Sequence, residues 1–250
     1  MAEQSGAPEF VKENVDFEAC YQGQRFLAGT DLTFPVAPWD IGEPQPALVE
    51  LADRTAFSGD VLDAGCGLGE NAIFLAGRGY RVTAFDCSPT ALDRARARAR
   101  ECAAQVEFVQ ADATRLGELS GRRFGTVVDS ALYHCLGAQQ QHRYAAALHE
   151  VTEPGARLHL LCWAVAGEDA AVRHPMGVGE QSIRATLDAR WEVLEVRTAQ
   201  ISTALIRDAL TEADIALFAR KGVGIDPGRA AVDDRGRISA PAWFVSAVRR

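Results

Sequence analysis

The sequence predicts an α/β fold in which a mostly parallel sheet is covered by helices on both faces. Three observations carry that expectation. From residue 60 onward, short apolar or β-branched runs alternate with helix-like stretches. A glycine-rich turn follows the first of these runs and opens a helix, as happens at the ligand-binding edge of such sheets. The 250 residues are 48% hydrophobic, enough for one substantial core. A single domain is therefore expected over 1–250, with a cap segment at 1–44, a core at 45–201 and 241–250, and an insert at 202–240.

Strands are expected at 60–64, 81–85, 106–109, 126–129, 157–162, 191–197 and 242–248, where β-branched and apolar residues cluster between turn formers. Helices are expected at 71–78, 90–103, 140–151 and 181–187. The second helix opens with Ser88-Pro89, a capping hydroxyl followed by a proline in the first turn, where a missing N–H does no harm. Its Arg94, Arg96, Arg98 and Arg100 step by two and so rotate around the helix, which reads as a solvated surface rather than a phosphate-binding face. Residues 1–44 hold four prolines and several aromatics. The insert mixes a helix-like part with a Gly/Pro/Asp-rich one.

The net charge of −8 opposes the electrostatics of nucleic-acid binding, and no basic stripe offsets it. Residues 1–14 are polar, and no apolar run reaches the length of about 18 residues that spans a bilayer, so no membrane partner and a cytoplasmic location are expected. Six cysteines without a C-x-x-C pair and five histidines without ligand spacing suggest reduced thiols and no metal. No residue pattern specifies an oligomeric state.

The run Val61-Leu62-Asp63-Ala64-Gly65-Cys66-Gly67-Leu68-Gly69-Glu70-Asn71 is a strand end, a glycine turn and a helix start. A dinucleotide fingerprint beginning at Gly65 needs its third glycine at position 70, which is Glu70, and an acid there repels a pyrophosphate over the helix N-terminus. Next, Val82-Thr83-Ala84-Phe85-Asp86-Cys87 ends a second strand in a carboxylate placed to accept from both hydroxyls of a ribose. Then Phe108-Val109-Gln110-Ala111-Asp112-Ala113 ends a third in an acid suited to an adenine amino group. Each strand-terminal Asp alone is equally a turn former. In series, the three ends describe one nucleoside site.

D-A-G-C-G-x-G, F-D and A-D-A together resemble the class I S-adenosylmethionine (SAM) methyltransferases over residues 61 to about 163. The resemblance implies a Rossmann-like seven-stranded sheet with its last strand antiparallel. It also implies that Gly65, Cys66, Gly67, Gly69 and Asn71 pack at the methionine part with Asp63 nearby, that Asp86 and Cys87 lie at the ribose, and that Asp112 and Ala113 lie at the adenine. The product would be S-adenosylhomocysteine (SAH).

Pro38-Trp39-Asp40-Ile41-Gly42 is similar to the P-W-D-x-G element of the halide, thiol and thiopurine methyltransferase group and of related bacterial small-heterocycle methyltransferases. By that resemblance Trp39 faces the cofactor and Asp40 holds it or the acceptor; a core tryptophan beside a capping Asp is the other reading. The fourth strand ends Asp129-Ser130-Ala131-Leu132-Tyr133-His134, at the carboxyl edge where ligands gather. Asp129 and Ser130 are placed with the cofactor, and Asp129, Tyr133 and His134 with the acceptor. His134 is either a general base or an imidazole hydrogen-bonded for structure. Tyr133 either orients the acceptor or fills the wall, to which Phe34, Trp163 and Phe218 are further candidates. The expected activity is methyl transfer to an O, S or N nucleophile of a small aromatic or heterocyclic molecule. A nicotinamide-dependent oxidoreductase and a non-catalytic cofactor-binding protein are the alternatives.

Overall fold

A computed structural model describes residues 12, 15–25, 36–55 and 57–250. Five strands follow one another as β1 (Val61–Ala64), β2 (Val82–Asp86), β3 (Val106–Gln110), β4 (Phe124–Ser130) and β5 (Thr152–Trp163). They are all parallel, in the order β3-β2-β1-β4-β5. The order reverses beside β1, so the carboxyl ends of β1 and β4 diverge around a crevice. Two long strands complete a seven-stranded sheet: β7 (Trp191–Ile206) at the edge and β9 (Arg237–Arg249) inserted antiparallel between β5 and β7. A separate two-stranded sheet pairs β6 (Val172–Arg173) with β8 (Gly224–Ile225).

Alternation along the strands builds the two cores. Leu62, Phe85, Val127 and Leu158 face helices α5 (Ala138–Val151) and α6 (Glu180–Leu187), where Tyr144, Leu148 and Trp191 are fully buried. Val61, Ala84 and Val128 face the other way, against Leu48 and Leu51 of α2 (Pro46–Arg54), Leu75 of α3 (Glu70–Gly77) and Leu92 of α4 (Pro89–Glu101). The α4 cap is as its residues predict: Ser88 Oγ accepts the Ala91 N–H at 2.9 Å and Pro89 occupies the first turn.

The expected elements around the sheet agree in type and differ at their ends. The strand expected at 191–197 runs on to Ile206 through two register shifts, and the one expected at 242–248 begins at Arg237. The connection between them is therefore 207–236, shorter than 202–240, and holds α7 (Glu212–Ala219) and β8. The amino-terminal helix α1 (Phe17–Tyr21) is capped by Asp16, whose carboxylate accepts the Ala19 N–H at 2.9 Å. Phe34 lies outside the described residues. Among the described residues no helix is long and apolar enough to cross a membrane, and no His/Cys/Asp/Glu group could hold a metal ion.

Candidate active site

The carboxyl ends of β1, β2 and β4 open on a cavity of about 220 Å³ that continues under α1 and the 38–45 segment to a chamber walled by β6, β8, β9 and α7. Its entrance floor is the glycine turn. Gly65 (φ 67°) and Gly67 (φ 53°) hold left-handed conformations. A Cβ on Gly65 would lie 2.7 Å from Leu132 Cβ, and one on Gly67 would lie 2.7 Å from Tyr21 Oη. The Gly67 N–H donates to Asp86 Oδ2 and the Ser88 N–H to Oδ1, each at 2.9 Å. Burial raises the Asp86 carboxyl above the ordinary range, and those two N–H groups work against the rise.

A strap of hydrogen bonds and ion pairs holds the 38–45 segment over this floor. Trp39 Nε1 donates to Tyr21 Oη at 2.8 Å. Arg98 of α4 grips both Asp40 oxygens, at 3.1 and 3.2 Å, and also pairs with Glu70 at the start of α3. Asn71 Oδ1 accepts the Gln45 N–H at 3.2 Å, and the Gln45 side chain exchanges two hydrogen bonds with the Ser202 backbone, mimicking a strand neighbour on β7. Glu43 pairs with Arg237 and Arg235 at the start of β9. Arg98 is thus not a solvated surface group: its guanidinium neutralises two carboxylates that both line the cavity. Glu70, which breaks the dinucleotide spacing, is half of that clamp.

Of the residues expected at a cofactor, Trp39, Gly65, Cys66, Gly67, Asn71, Asp86, Cys87 and Ser130 line the cavity, and Asp63, Gly69, Asp112, Ala113 and Asp129 do not. Gly69 serves packing: a Cβ there would lie 3.1 Å from Ala95 and 3.2 Å from Phe108, so its role is to let α4 and β3 approach α3. Asp112 closes its own turn, Oδ1 accepting the Thr114 N–H and Oγ1–H, each at 2.8 Å. Asp63 is buried beneath the turn with Oδ2 unpartnered, and burial and the nearby Asp129 push its carboxyl up to about 7.

The acceptor expectations change most. Asp129 does not reach the cavity: Oδ1 accepts the N–H groups of Leu132 and Tyr133, Oδ2 accepts the Tyr144 hydroxyl at 2.8 Å, and burial raises its carboxyl to about 7. It folds the end of β4 rather than touching a ligand. Tyr133 is fully buried with its hydroxyl beside Thr186, also outside the cavity. Between them Ala131 takes φ 79°, a strained left-handed turn that aims Leu132 at Gly65.

His134 does line the cavity, but as a fixed neutral imidazole. Its ring stacks on Trp163 (centroids 4.6 Å apart, 8° between planes), and Nδ1 accepts the Trp163 N–H at 3.1 Å. Burial, then the nearby Lys12 cation, depress its pKa to about 3. His174, which no spacing singled out, also packs on the Trp163 indole with centroids 3.7 Å apart, and its Nδ1 accepts the Met176 N–H at 3.2 Å. Trp163 and Phe218 line the chamber as expected of an apolar wall, joined by Val172, Leu205, Ile225 and Ile238. Lys221, just past the end of α7, also lines it.

Residues 61–155 match a family model described as a methyltransferase domain. The chain is similar to the 2-heptyl-1-hydroxyquinolin-4(1H)-one methyltransferase of Mycobacteroides abscessus, at 32% identity over 186 residues, covering 74% of this chain and 80% of that protein. Among solved structures, one concerning the conversion of a disulfide bond into a thioacetal group during echinomycin biosynthesis superposes with a TM-score of 0.71 at 29% identity, covering 93% of this chain and 91% of that one. Magnesium protoporphyrin IX methyltransferase from Synechocystis PCC 6803 with bound SAM superposes with a TM-score of 0.53 at 22% identity, covering 82% and 76%, a likeness of fold.

Proposed function

The chain belongs to the class I S-adenosylmethionine-dependent methyltransferases, and from that premise we propose that it methylates an O, S or N nucleophile on a small aromatic or heterocyclic molecule carrying an apolar substituent. One observation carries this reading: a single cavity joins the Gly65/Gly67/Asp86 floor to the apolar chamber of Trp163, Phe218, Ile225 and Ile238. The relative from Mycobacteroides abscessus is named for an acceptor of that kind, a heterocycle with an alkyl chain.

The residues of the floor fit SAM. The turn at Gly65 and Gly67 leaves no room for side chains, Asp86 offers a buried carboxylate at the cavity wall, and Asp63 Oδ2 is an unpartnered buried oxygen just beneath. Asp86 is assigned to the ribose hydroxyls, and the glycine turn, with Asp63 beneath it, to the methionine part. When bound, SAM supplies a methyl group already activated on a sulfonium. The tasks left to the chain are alignment and the exclusion of water, which Trp39, Tyr21 and the strap over the cavity perform.

Calorimetric titration with SAM, SAH and NADH tests the reading. SAM and SAH are expected to bind and NADH not to. Asp86→Ala is expected to weaken SAM by at least about tenfold, since charge-assisted hydrogen bonds contribute about 1.5–3 kcal/mol. Failure of both SAM and SAH to bind the unaltered chain sinks the assignment.

A further inference from the structure

We propose that the acceptor enters the chamber already ionised, held by the Nε2–H of His134 with the Lys221 ammonium as counter-charge, and that no side chain of the chamber removes a proton from it. The inference rests on the methyltransferase reading and adds the substrate class: acidic N-hydroxy heterocycles, aryl thiols and acidic phenols, not alcohols or amines.

The geometry of His134 comes first. A backbone N–H can only donate, so the Trp163 N–H at 3.1 Å fixes Nδ1 as the unprotonated nitrogen. The neutral ring therefore carries its proton on Nε2, at which no hydrogen bond is seen among the described residues. A ring in that tautomer offers the chamber a donor and has no lone pair there to take a proton. Charging it is disfavoured as well: the ring is buried, and Lys12 faces it from the amino-terminal segment. Cys135, next in the chain, is half-buried with its thiol donating to the Ala131 carbonyl. His174 likewise takes a backbone N–H at Nδ1. Asp129, the carboxylate nearest in sequence, is consumed by Leu132, Tyr133 and Tyr144. Among the described residues, no histidine, cysteine or carboxylate lining the chamber is placed to act as a base.

Charge is sorted along the cavity. The acids that line it, Asp40, Glu43, Glu70 and Asp86, all belong to the strap and the floor. The first three are paired with arginine and the fourth is held by backbone N–H groups. Lys221 lines the apolar end and has no carboxylate partner among the described residues. A lysine at the apolar end with no carboxylate partner among the described residues favours an anion beside it. In the transfer, a lone pair of the ionised O or S forms the bond to the methyl carbon while the sulfonium S–C bond breaks and its pair stays on sulfur. The anion and sulfonium charges cancel, leaving neutral methyl ether or thioether and SAH, and the proton was lost to solvent before binding.

The test uses the absorption spectrum of 4-nitrophenol and 4-nitrothiophenol bound to the full chain saturated with SAH, over a pH series. The expected result is a bound anion at pH values where the free probe is mostly protonated, an apparent pKa lowered by at least one unit. Lys221→Gln should shrink that shift several-fold with SAH affinity unchanged, and His134→Gln, which keeps a neutral N–H donor, should retain anion binding. In turnover, kcat/KM for a series of substituted thiophenols should rise with pH to an inflection that follows each acceptor's own pKa. Binding of the neutral probe, failure of both probes to bind the SAH complex, or one inflection common to all acceptors and lost in His134→Gln would each overturn the proposal. SAM and SAH binding in the same samples keeps it separable from the cofactor assignment: their failure to bind removes the parent reading, whereas neutral-probe binding to an SAH-loaded chain removes only this one.

Discussion

Replacing Arg98 with alanine removes the cation that joins three elements: the 38–45 segment through Asp40, α3 through Glu70 and α4 itself. The cost follows from burial. Asp40 and Glu70 are 11% and 17% exposed and the arginine 35%, so the cluster lies between two limits. Breaking a fully buried pair costs about 3–5 kcal/mol and losing an exposed one about 0–1 kcal/mol. With the guanidinium partly screened by solvent, we expect a loss of about 2 kcal/mol, which for a chain of this length lowers Tm by about 4–8 °C. Much of that loss is repulsion between the two carboxylates left behind. Neutralising one should recover part of it, so Arg98→Ala should cost clearly less in a Glu70→Gln background. Because the clamp fixes the loop bearing Trp39, SAH affinity should fall about tenfold, equal to about 1.4 kcal/mol. Thermal unfolding followed by circular dichroism, with and without SAH, reads both quantities. A Tm change below about 1 °C, or an equal cost in the Glu70→Gln background, would refute the clamp.

Two further outcomes are expected. Gly67→Ala places a Cβ 2.7 Å from Tyr21 Oη at a φ of 53°. Left-handed strain of about 1–2 kcal/mol plus displacement of the Tyr21 to Trp39 hydrogen bond should lower the denaturant midpoint and SAM affinity together, whereas unchanged calorimetric affinity would place the glycine outside the cofactor floor. Asp63 has a folded-state pKa of about 7 against an ordinary 3.8, so between those values the folded chain binds more protons than the unfolded one and Asp63 withdraws stability as pH rises. The buried, neutral His134 acts oppositely, costing stability as pH falls through the unfolded imidazole value of about 6.5. The difference between Asp63→Asn and the unaltered chain isolates the first effect. It should grow in favour of the variant from pH 5 to pH 8 in urea unfolding, and a difference independent of pH would refute the assignment of a raised pKa.

Features that depend on neighbours in the chain were legible from residue order alone. The continuous apolar runs of β1, β2 and β4, the Ser88-Pro89 cap and the left-handed glycines at 65 and 67 each rest on a few adjacent residues, and Asp86 sits at the end of the very next strand, so run length and turn chemistry expose them. Which polar groups remain available to a ligand emerges only from packing, because it depends on partners distant in the chain. Asp129 is spent on a tyrosine fifteen positions away in α5, and Arg98 is committed to acids of two other segments. The tautomer of His134 is set by a backbone N–H of β5, 29 residues on, and His174 joins the chamber because β6 pairs with β8 far along the chain. The hand-over from β7 to β9 was hidden for a related reason: an edge strand lengthened by register shifts carries mixed residues, so no alternation marks where it ends. A buried donor or acceptor must find its partner wherever the fold supplies one. Residue type tells which groups have chemistry to offer, and packing tells which of them are still free to use it.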